Sequence, residues 1–403
     1  MPRKFRTKEW VVMVFIANDN DLGSFTRAKI EEIETVGSTL AADVVIQFDT
    51  PGTSAIRRMR LSKQRKFPLR RLQLETNTGD KRTLIRFADL TMEDFHPRRA
   101  MLILSNHGSG IAIANDDLLV AERDGRFRRN DHKCHRIHQQ EPIFRMLTPN
   151  TALYDHNIDK PATLRTDALD NMELKSALKS IARRHGRVEL LAFDACLMNT
   201  IEVAFQLRTS VRFMVGSQSN IPVPGCTFSS TFTLMRDESL PTQEVAKAIV
   251  RGVTPVQFDE VSAMAALDLD KADDVAESVS VLAEALISYL RNDPNALFEV
   301  TVAHLSALAM PDSDTIDLFD FCEKLTQRVK NDDVVEAATD VQDAVDQLVL
   351  LANPQGAVVK GARGISITLP RRNDISDAYR QLDFARETSW VDFLKSYLPL
   401  RFP

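Results

Sequence analysis

The sequence predicts an α/β protein in which a mainly parallel sheet is flanked by helices, with a further α/β part toward the carboxyl end. Short segments rich in β-branched and apolar residues alternate with longer segments whose apolar residues recur with a helical period. This alternation is typical of parallel strands joined through helical crossovers. The chain has 403 residues, which is enough for one large unit or for two closely packed halves.

The amino-terminal strands are predicted from apolar runs that stop at polar or turn-forming residues. WVVMVFIA at 10–17 leads into the polar sequence NDND, and AMLILS at 100–105 leads into His107 and Gly108. The predicted elements of this part are, in chain order, a strand at 10–17, a helix at 25–36 that ends at Gly37, a strand at 43–49, a basic hairpin built from 56–61 and 70–74, and a strand at 100–105.

The second group of elements is built around the strand VELLAF at 188–193, which leads into Asp194 and Cys196. Apolar residues at helical spacing precede and follow it. The predicted elements of this part are, in chain order, a helix at 171–184, a strand at 188–193, a helix at 197–207, a strand at 212–216, helices near 241–251, 271–291, 315–330 and 334–351, a strand at 365–369 and a helix near 390–398.

A long connection separates the two groups of elements. Residues 110–166 show little apolar periodicity, and they contain the basic run ERDGRFRRNDHKCHRIH. Connections of more than about 15 residues within a compact domain are usually functional or disordered. We expect a functional loop inside a core domain of residues 8–252, followed by an α/β subdomain of residues 253–403 that packs on the core.

Composition excludes several functional classes. Hydrophobic residues make up 44% of the chain and charged residues 27%, values close to the average of soluble domains. No apolar run reaches the roughly 18 residues that a membrane-spanning helix needs. The net charge of -5 gives no electrostatic reason to bind nucleic acid or an anionic membrane, and we expect neither as a partner.

The cysteines and the first residues favour a reducing compartment. Cys134, Cys196, Cys226 and Cys322 are too few and too scattered for a disulfide framework, so we expect free thiols. The amino-terminal segment is basic and then apolar, but it lacks a small-residue cleavage site before the acidic turn. We therefore interpret it as a strand, not as a signal peptide, and expect a cytoplasmic protein.

Two residues at predicted strand ends indicate nucleophilic chemistry. Cys196 lies between a strand and a predicted helix, where free backbone N–H groups and the helix dipole stabilise a thiolate. His107 follows another strand, and the carboxyl ends of strands in open α/β sheets gather ligands. Gly108 suits a close backbone approach, and its N–H with that of Cys196 forms the predicted oxyanion hole. Taken alone, Cys196 also fits a small buried apolar residue and His107 a turn residue.

Two motifs and several flanking segments resemble a known family. HGSG after one hydrophobic strand, and FDACLM with NTIEVAFQL after a second, are similar to the clostripain-like cysteine peptidases, relatives of the caspases, gingipains and legumains. The segments WVVMVFIANDNDL, VVIQFD, SAMAALDLD, GISITLP and YRQLDFARETSWVDFL extend the likeness over nearly the whole chain. The resemblance implies a caspase-like fold, a His107 and Cys196 dyad that forms a thioester acyl-enzyme, and peptide or protein substrates cut after arginine or lysine.

The resemblance also assigns a role to Asp194. In that family an aspartate two residues before the nucleophile helps to line the pocket for the basic side chain. A carboxylate in a partly desolvated pocket binds a guanidinium through two charge-assisted hydrogen bonds. The alternative is that Asp194 caps the helix predicted after it. The sequence GSQSN at 216–220 departs from the family, which often carries acidic residues there, and this argues against a strict arginine or lysine preference.

Self-cleavage and metal binding concern two loops. Some relatives cut themselves between the histidine and the cysteine, and the basic residues of 110–166 make this a hypothesis here. His135 and His138 in that loop lack the second ligand pair of a zinc site, so no metal site is predicted there. The oxygen-rich turn at 18–21 leaves calcium binding open beside its interpretation as a plain turn, and no cofactor is required.

Two other functional classes stay open. The first is a caspase-like binding or regulatory module, against which the intact His107, Gly108 and Cys196 argue. The second is a thiol-based transferase, which needs a phosphate or cofactor loop, and the sequence has neither a GxGxxG nor a P-loop pattern.

Overall fold

The computed structural model describes residues 7–18, 22–50, 56–69, 78–108, 169–223, 225–253, 261–311, 313–371 and 375–401. The predicted functional loop at 110–166 lies outside the described residues. The same holds for 70–74, the expected second half of the basic hairpin, and for Asp19, Asn20 and Asp21 of the oxygen-rich turn.

A mixed sheet of nine described strands forms the centre of the molecule, and two short strands pair beside it. The strands are β1 (Trp10–Ala17), β2 (Ala42–Asp49), β3 (Arg57–Ser62), β4 (Arg65–Pro68), β5 (Arg99–Ser105), β6 (Val188–Asp194), β7 (Val211–Ser217), β8 (Ser262–Asp268), β9 (Thr315–Asp317), β10 (Val349–Gln355) and β11 (Ser366–Thr368). The order across the large sheet is β10-β8-β7-β6-β5-β1-β2-β3-β4. Neighbours from β7 to β2 are parallel, whereas the outer strands pair antiparallel.

Helices cover both faces of this sheet. They are α1 (Gly23–Glu34), α2 (Lys81–Phe95), α3 (Asn171–His185), α4 (Ile201–Leu207), α5 (Ser229–Leu234), α6 (Thr242–Gly252), α7 (Ala272–Asn292), α8 (Ala296–Ser306), α9 (Leu318–Arg328), α10 (Asp332–Leu348), α11 (Asp383–Glu387) and α12 (Trp390–Arg401). Of the helices in the described ranges, none is both long enough and apolar enough to cross a bilayer.

Strand β1 shows why the sheet lies between two apolar layers. Its eight residues are all buried. Val11 and Phe15 pack in one cluster, with α2, α3 and the helices from α7 onward. Val12 and Val14 pack in the other, with α1, α5 and α6. Because successive side chains of a strand point to opposite faces, a strand that is apolar throughout is buried on both faces. The predicted mainly parallel sheet between helices is confirmed.

Parallel pairing collects the carboxyl ends of the central strands at one edge. Ile16 at the end of β1 pairs with Ser105 at the end of β5, and Ser105 pairs with Asp194 at the end of β6. The residues that follow these strands therefore stand side by side, although almost ninety positions separate Ser105 from Asp194 in the chain.

The second half of the chain extends the same sheet. β8 pairs antiparallel with β7, and β10 pairs antiparallel with β8. One apolar cluster combines residues of β5 and β6 with residues of α7, α9, α10 and α12. Sheet and core are thus continuous across the subdomain boundary expected near residue 253, and that division stays a prediction.

The predicted basic hairpin forms with a different second strand. β3 turns back through Lys63 and Gln64 and pairs with β4 at 65–68. Gln64, the second residue of this turn, has φ of 56°, in the left-handed region that tight turns often use. The expectation of a return strand at 70–74 overlooked this turn because it contains no glycine, asparagine or aspartate.

Candidate active site

The strand register brings the histidine and cysteine motifs together. Ser105 and Asp194 are paired residues of β5 and β6, and His107 and Cys196 each stand two positions beyond them. The backbones of the two motifs come into contact at Gly108, one residue beyond His107. A Cβ placed on Gly108 would lie 2.2 Å from the carbonyl oxygen and 2.8 Å from the amide nitrogen of Cys196. Only glycine permits this approach, as the sequence predicts.

Asn106 fixes the start of the histidine loop. Its side-chain oxygen accepts a hydrogen bond from the His107 N–H at 2.6 Å. Its side-chain amide donates to the carbonyl oxygen of Ala17 at the end of β1. Its backbone N–H donates to the carbonyl oxygen of Asp194 at 3.3 Å. Asn106 thereby ties three strand ends together, a positioning role that was not predicted although a buried amide beside the histidine hints at it.

Cys196 lies in a turn and not at the start of a helix. Leu197 has φ of 62°, and helix α4 begins only at Ile201, with Thr200 as its N-cap. The turn is held from outside, because the N–H of Leu197 donates to Ser219 and that of Asn199 to Ser217. The prediction that a helix at 197–207 and its dipole stabilise a thiolate is therefore wrong.

Three backbone N–H groups surround the Cys196 sulfur instead. The N–H of Ile221 donates to Sγ at 3.2 Å, and those of Gly108 and Cys196 also reach it. Burial nonetheless raises the pKa of the thiol above its ordinary value, and the nearby charge of Asp194 adds to this. The same enclosure that raises the pKa of the thiol also provides donors for a negative charge formed during a reaction.

One loop after β7 contacts both Cys196 and Asp194. Ile221 donates to Cys196, and five residues later the N–H of Cys226 donates to Asp194 Oδ1 at 2.6 Å. Gly225 has φ of +89°, and a Cβ there would lie 2.4 Å from Asp194 Oδ1. This loop thus closes over the site.

Asp194 is enclosed and ion-paired. Its side chain is 2% exposed, and Lys29 Nζ lies 2.9 Å from its Oδ2. Ser105 Oγ donates to the same oxygen at 3.0 Å. The carboxylate makes its contacts with β5, α1 and the loop at Cys226, and α4 has its own cap, so the alternative role of Asp194 as a helix cap is wrong.

A comparison with protein-family models decides the family. The chain matches the clostripain family, peptidase family C11, over residues 14–123 and 162–397. The match covers most of the chain and includes His107, Gly108, Asp194 and Cys196.

The chain belongs to the clostripain family. This confirms the family that the two motifs indicate. Clostripain of Hathewaya histolytica is 23% identical over 337 residues, which are 73% of this chain and 58% of that protein. The chain therefore spans little more than half the length of this relative.

Two solved structures of clostripain-family proteins have the same fold. An inactive zymogen of a C11 protease from Parabacteroides distasonis has a TM-score of 0.64 at 16% identity, with 96% of this chain and 98% of that chain covered. A secreted C11 cysteine protease from Bacteroides thetaiotaomicron, in complex with an irreversible peptide inhibitor, has a TM-score of 0.63 at 17% identity, with 96% and 99% covered. The expected caspase-like architecture is confirmed.

Gln218 lies in the segment GSQSN at 216–220, which carries no carboxylate. Its side-chain amide donates to Asp317 and to Ser366, both at 2.9 Å, and its oxygen accepts from the N–H of Gly364 at 2.7 Å. Gln218 is buried and binds the second half of the chain. Among the described residues, Asp194 is the carboxylate that was predicted to line the substrate pocket. It contacts the loop after β7, which also contacts Cys196.

Metal ligation finds no support within the described ranges. No group of three or more candidate side chains there could hold an ion. Asn18, the described member of the oxygen-rich turn, is buried and donates to Thr26 Oγ1 at 3.0 Å. His135 and His138 lie outside the described residues.

Proposed function

We propose that the chain is a cysteine endopeptidase whose nucleophile is Cys196 and whose general base is His107. The observation that carries this proposal is the backbone contact between Gly108 and Cys196 at the ends of neighbouring parallel strands. His107 precedes Gly108 directly, so it is the neighbour of a residue whose backbone contacts Cys196. Membership of a peptidase family supports the same assignment.

The reaction follows from the groups around the sulfur. His107 accepts the proton of the Cys196 thiol as the sulfur attacks the carbonyl carbon of the scissile peptide bond. The carbonyl oxygen becomes an oxyanion and is stabilised by the N–H groups of Gly108 and Cys196. When the C–N bond breaks, His107 returns the proton to the leaving amine, and a thioester remains. Water activated by His107 hydrolyses the thioester and regenerates the thiol.

A preference for arginine or lysine before the cleaved bond is the finer part of the proposal, and Asp194 is the residue that supports it. Asp194 lies two residues from the nucleophile, and its charge is close enough to influence the Cys196 thiol. Clostripain, at 23% identity, supplies the analogy. The buried contacts of Asp194 with Lys29, Ser105 and Cys226 limit how far a substrate cation can bind to it.

Self-processing within residues 110–166 is a further part of the proposal. A similar protein is described as an inactive zymogen. The segment contains basic residues and lies between the two catalytic motifs. A purified chain that cuts itself gives two fragments on a denaturing gel, whereas Cys196→Ala stays intact. A single full-length band from both proteins would remove this part of the proposal and leave the peptidase assignment standing.

Fluorogenic peptides that end in Arg, Lys, Asp or Leu test the function directly. We expect turnover of the basic substrates by the wild type and none by Cys196→Ala, with both proteins showing the same thermal unfolding. Absence of turnover for every substrate, together with a Cys196 that iodoacetamide does not modify, would instead favour the caspase-like binding module.

A further inference from the structure

We infer that Lys29 determines substrate specificity, because its ammonium group competes with the substrate's basic side chain for Asp194. The inference rests on the proposed function and refines its preference for arginine or lysine. It concerns a residue of α1, far in sequence from both catalytic motifs.

Lys29 lies on the buried face of α1, where a charged side chain is energetically unfavourable. The buried residues of α1 are Thr26, Lys29, Ile30 and Ile33, the stripe that a helix turns toward the core. Lys29 is only 6% exposed. Burial of a charged lysine without a partner is strongly unfavourable. Its ammonium group therefore needs an opposite charge or hydrogen-bond acceptors inside the protein.

The partners of that ammonium group lie at the candidate active site. Lys29 Nζ is 2.9 Å from Asp194 Oδ2 and donates to the carbonyl oxygen of Cys226. It also stands 5.3 Å from the centre of the Phe228 ring, within cation–π range. These are the contacts by which a pocket would bind the cationic end of a substrate arginine or lysine.

The Asp194 carboxylate has little capacity left. Oδ2 accepts from Ser105 and Lys29, and Oδ1 accepts from the Cys226 N–H. A carboxylate offers about four lone-pair positions, so these three donors leave at most one of them open. A guanidinium that binds through two hydrogen bonds must therefore displace an existing donor.

Lys29 is the donor whose displacement decides selectivity. The Ser105 hydroxyl and the Cys226 N–H are neutral donors, but Lys29 carries the charge that cancels that of Asp194. As long as the pair is intact, a cationic side chain gains little over an uncharged one. We therefore expect the wild type to prefer basic residues only modestly.

The test compares kcat/KM for two peptides that differ only in Arg or Leu before the cleaved bond. Lys29→Met removes the charge and keeps the length of the side chain. We expect the Arg:Leu ratio to rise about tenfold in Lys29→Met. The negative charge of Asp194 is then no longer neutralised by Lys29 and attracts the basic side chain of the substrate. Lys8→Met is the matched control. Lys8 forms a partly buried pair of the same 2.9 Å length with Asp43 at the opposite end of the strands, and its loss should leave the ratio unchanged.

A second comparison decides the matter if Lys29→Met does not fold. In Asp194→Asn the Lys29 cation has lost its carboxylate and repels a basic substrate. The double variant Lys29→Met, Asp194→Asn should therefore have a higher Arg:Leu ratio than Asp194→Asn alone. An equal ratio in these two proteins, or an unchanged ratio in a folded Lys29→Met, overturns the role of Lys29. A wild type that cleaves neither peptide overturns the proposed function itself, and the inference with it.

Discussion

Cys196 is enclosed in a way that favours the thiol over the thiolate before substrate binds. Burial is the main cause of its raised pKa, and the charge of Asp194 adds to it. The hydrogen bond from the Ile221 N–H works in the opposite direction. If Cys196 is the nucleophile, as proposed, it depends on a base during the reaction, in contrast to a cysteine that is already ionised at a helix terminus.

The rate of Cys196 alkylation should therefore keep rising with pH. Because the pKa is raised, the thiolate accumulates only above the ordinary cysteine range near 8.5. Iodoacetamide modification followed by mass spectrometry between pH 6 and 10 measures this. Cys322, fully buried with a raised pKa of its own, serves as the internal control that stays unmodified. A rate that is already constant below pH 7 would contradict the account, because it indicates a preformed thiolate.

Gly108→Ala should lower kcat and also cost stability, because the new methyl group clashes with backbone atoms. The added methyl group would meet the Cys196 carbonyl oxygen at 2.2 Å, so the histidine loop must move away from the nucleophile. Loss of one oxyanion donor alone costs on the order of a hundredfold or more in kcat. Gly361→Ala is the control, since its Cβ would meet its nearest neighbour at an ordinary 3.7 Å. Equal peptidase activity of the two variants would remove Gly108 from the site.

At the scale of elements, the strands were predictable and the turns between them were not. β1, β5 and β6 are apolar runs with clear polar ends, so the sequence places them within a residue. The turn after Cys196 has no local signal, because its N–H groups donate to the carbonyl oxygens of Ser217 and Ser219 at and just beyond the end of β7, and these hydrogen bonds impose it. Helix α2 was not predicted, since its buried face mixes threonine and phenylalanine with few aliphatic residues.

The same contrast holds for the candidate site. His107, Gly108 and Cys196 could be located from their motifs, because strand ends at one sheet edge are brought together by register. The enclosure of Asp194 could not be predicted, because it needs α1 and the loop at Cys226 in three dimensions. Lys29 did leave a trace in the sequence, as a charged residue on the apolar stripe of a helix.

Asp317 should give the protein a measurable pH dependence of stability. It caps α9 and binds Gln218 and Arg363, and burial raises its pKa to about 6. An unfolded aspartate has a pKa near 3.9, so the folded state binds more protons between about pH 4 and 6. The free energy of unfolding therefore falls as pH rises through this window, by roughly 3 kcal/mol at most from this group.

Urea unfolding of the wild type and of Asp317→Asn at pH 4, 5, 6 and 7 measures that contribution. The variant lacks the titrating group, so its free energy of unfolding should fall less over the window. Asp346→Asn, at an exposed ion pair with Arg363, provides the control with the same charge change. Parallel curves for Asp317→Asn and the wild type would contradict the prediction.

At the scale of the whole molecule, the second half of the chain supports the site without supplying its nucleophile. β8 covers the edge of β7, and Gln218 hydrogen-bonds Asp317, Ser366 and Gly364 behind the loop of Cys196. The large apolar cluster draws on both halves. The site therefore depends on the complete core.

A fragment of residues 1–252 should not fold cooperatively on its own. It would expose the edge of β7 and lose the helices that cover one face of the sheet. Expression of the fragment, followed by circular dichroism and urea unfolding, tests this. A cooperative transition in the fragment would mean that the predicted core domain of residues 8–252 is an independent unit.

Covalent labelling tests the central claim most directly. The purified protein is treated with a peptidyl ketone inhibitor that carries arginine before its reactive group, and the adduct is located by mass spectrometry. We expect one adduct, on Cys196, with a much slower reaction in His107→Ala and none in Cys196→Ala. An adduct on Cys226 or Cys322, or a rate that His107→Ala leaves unchanged, would contradict the assignment of this dyad.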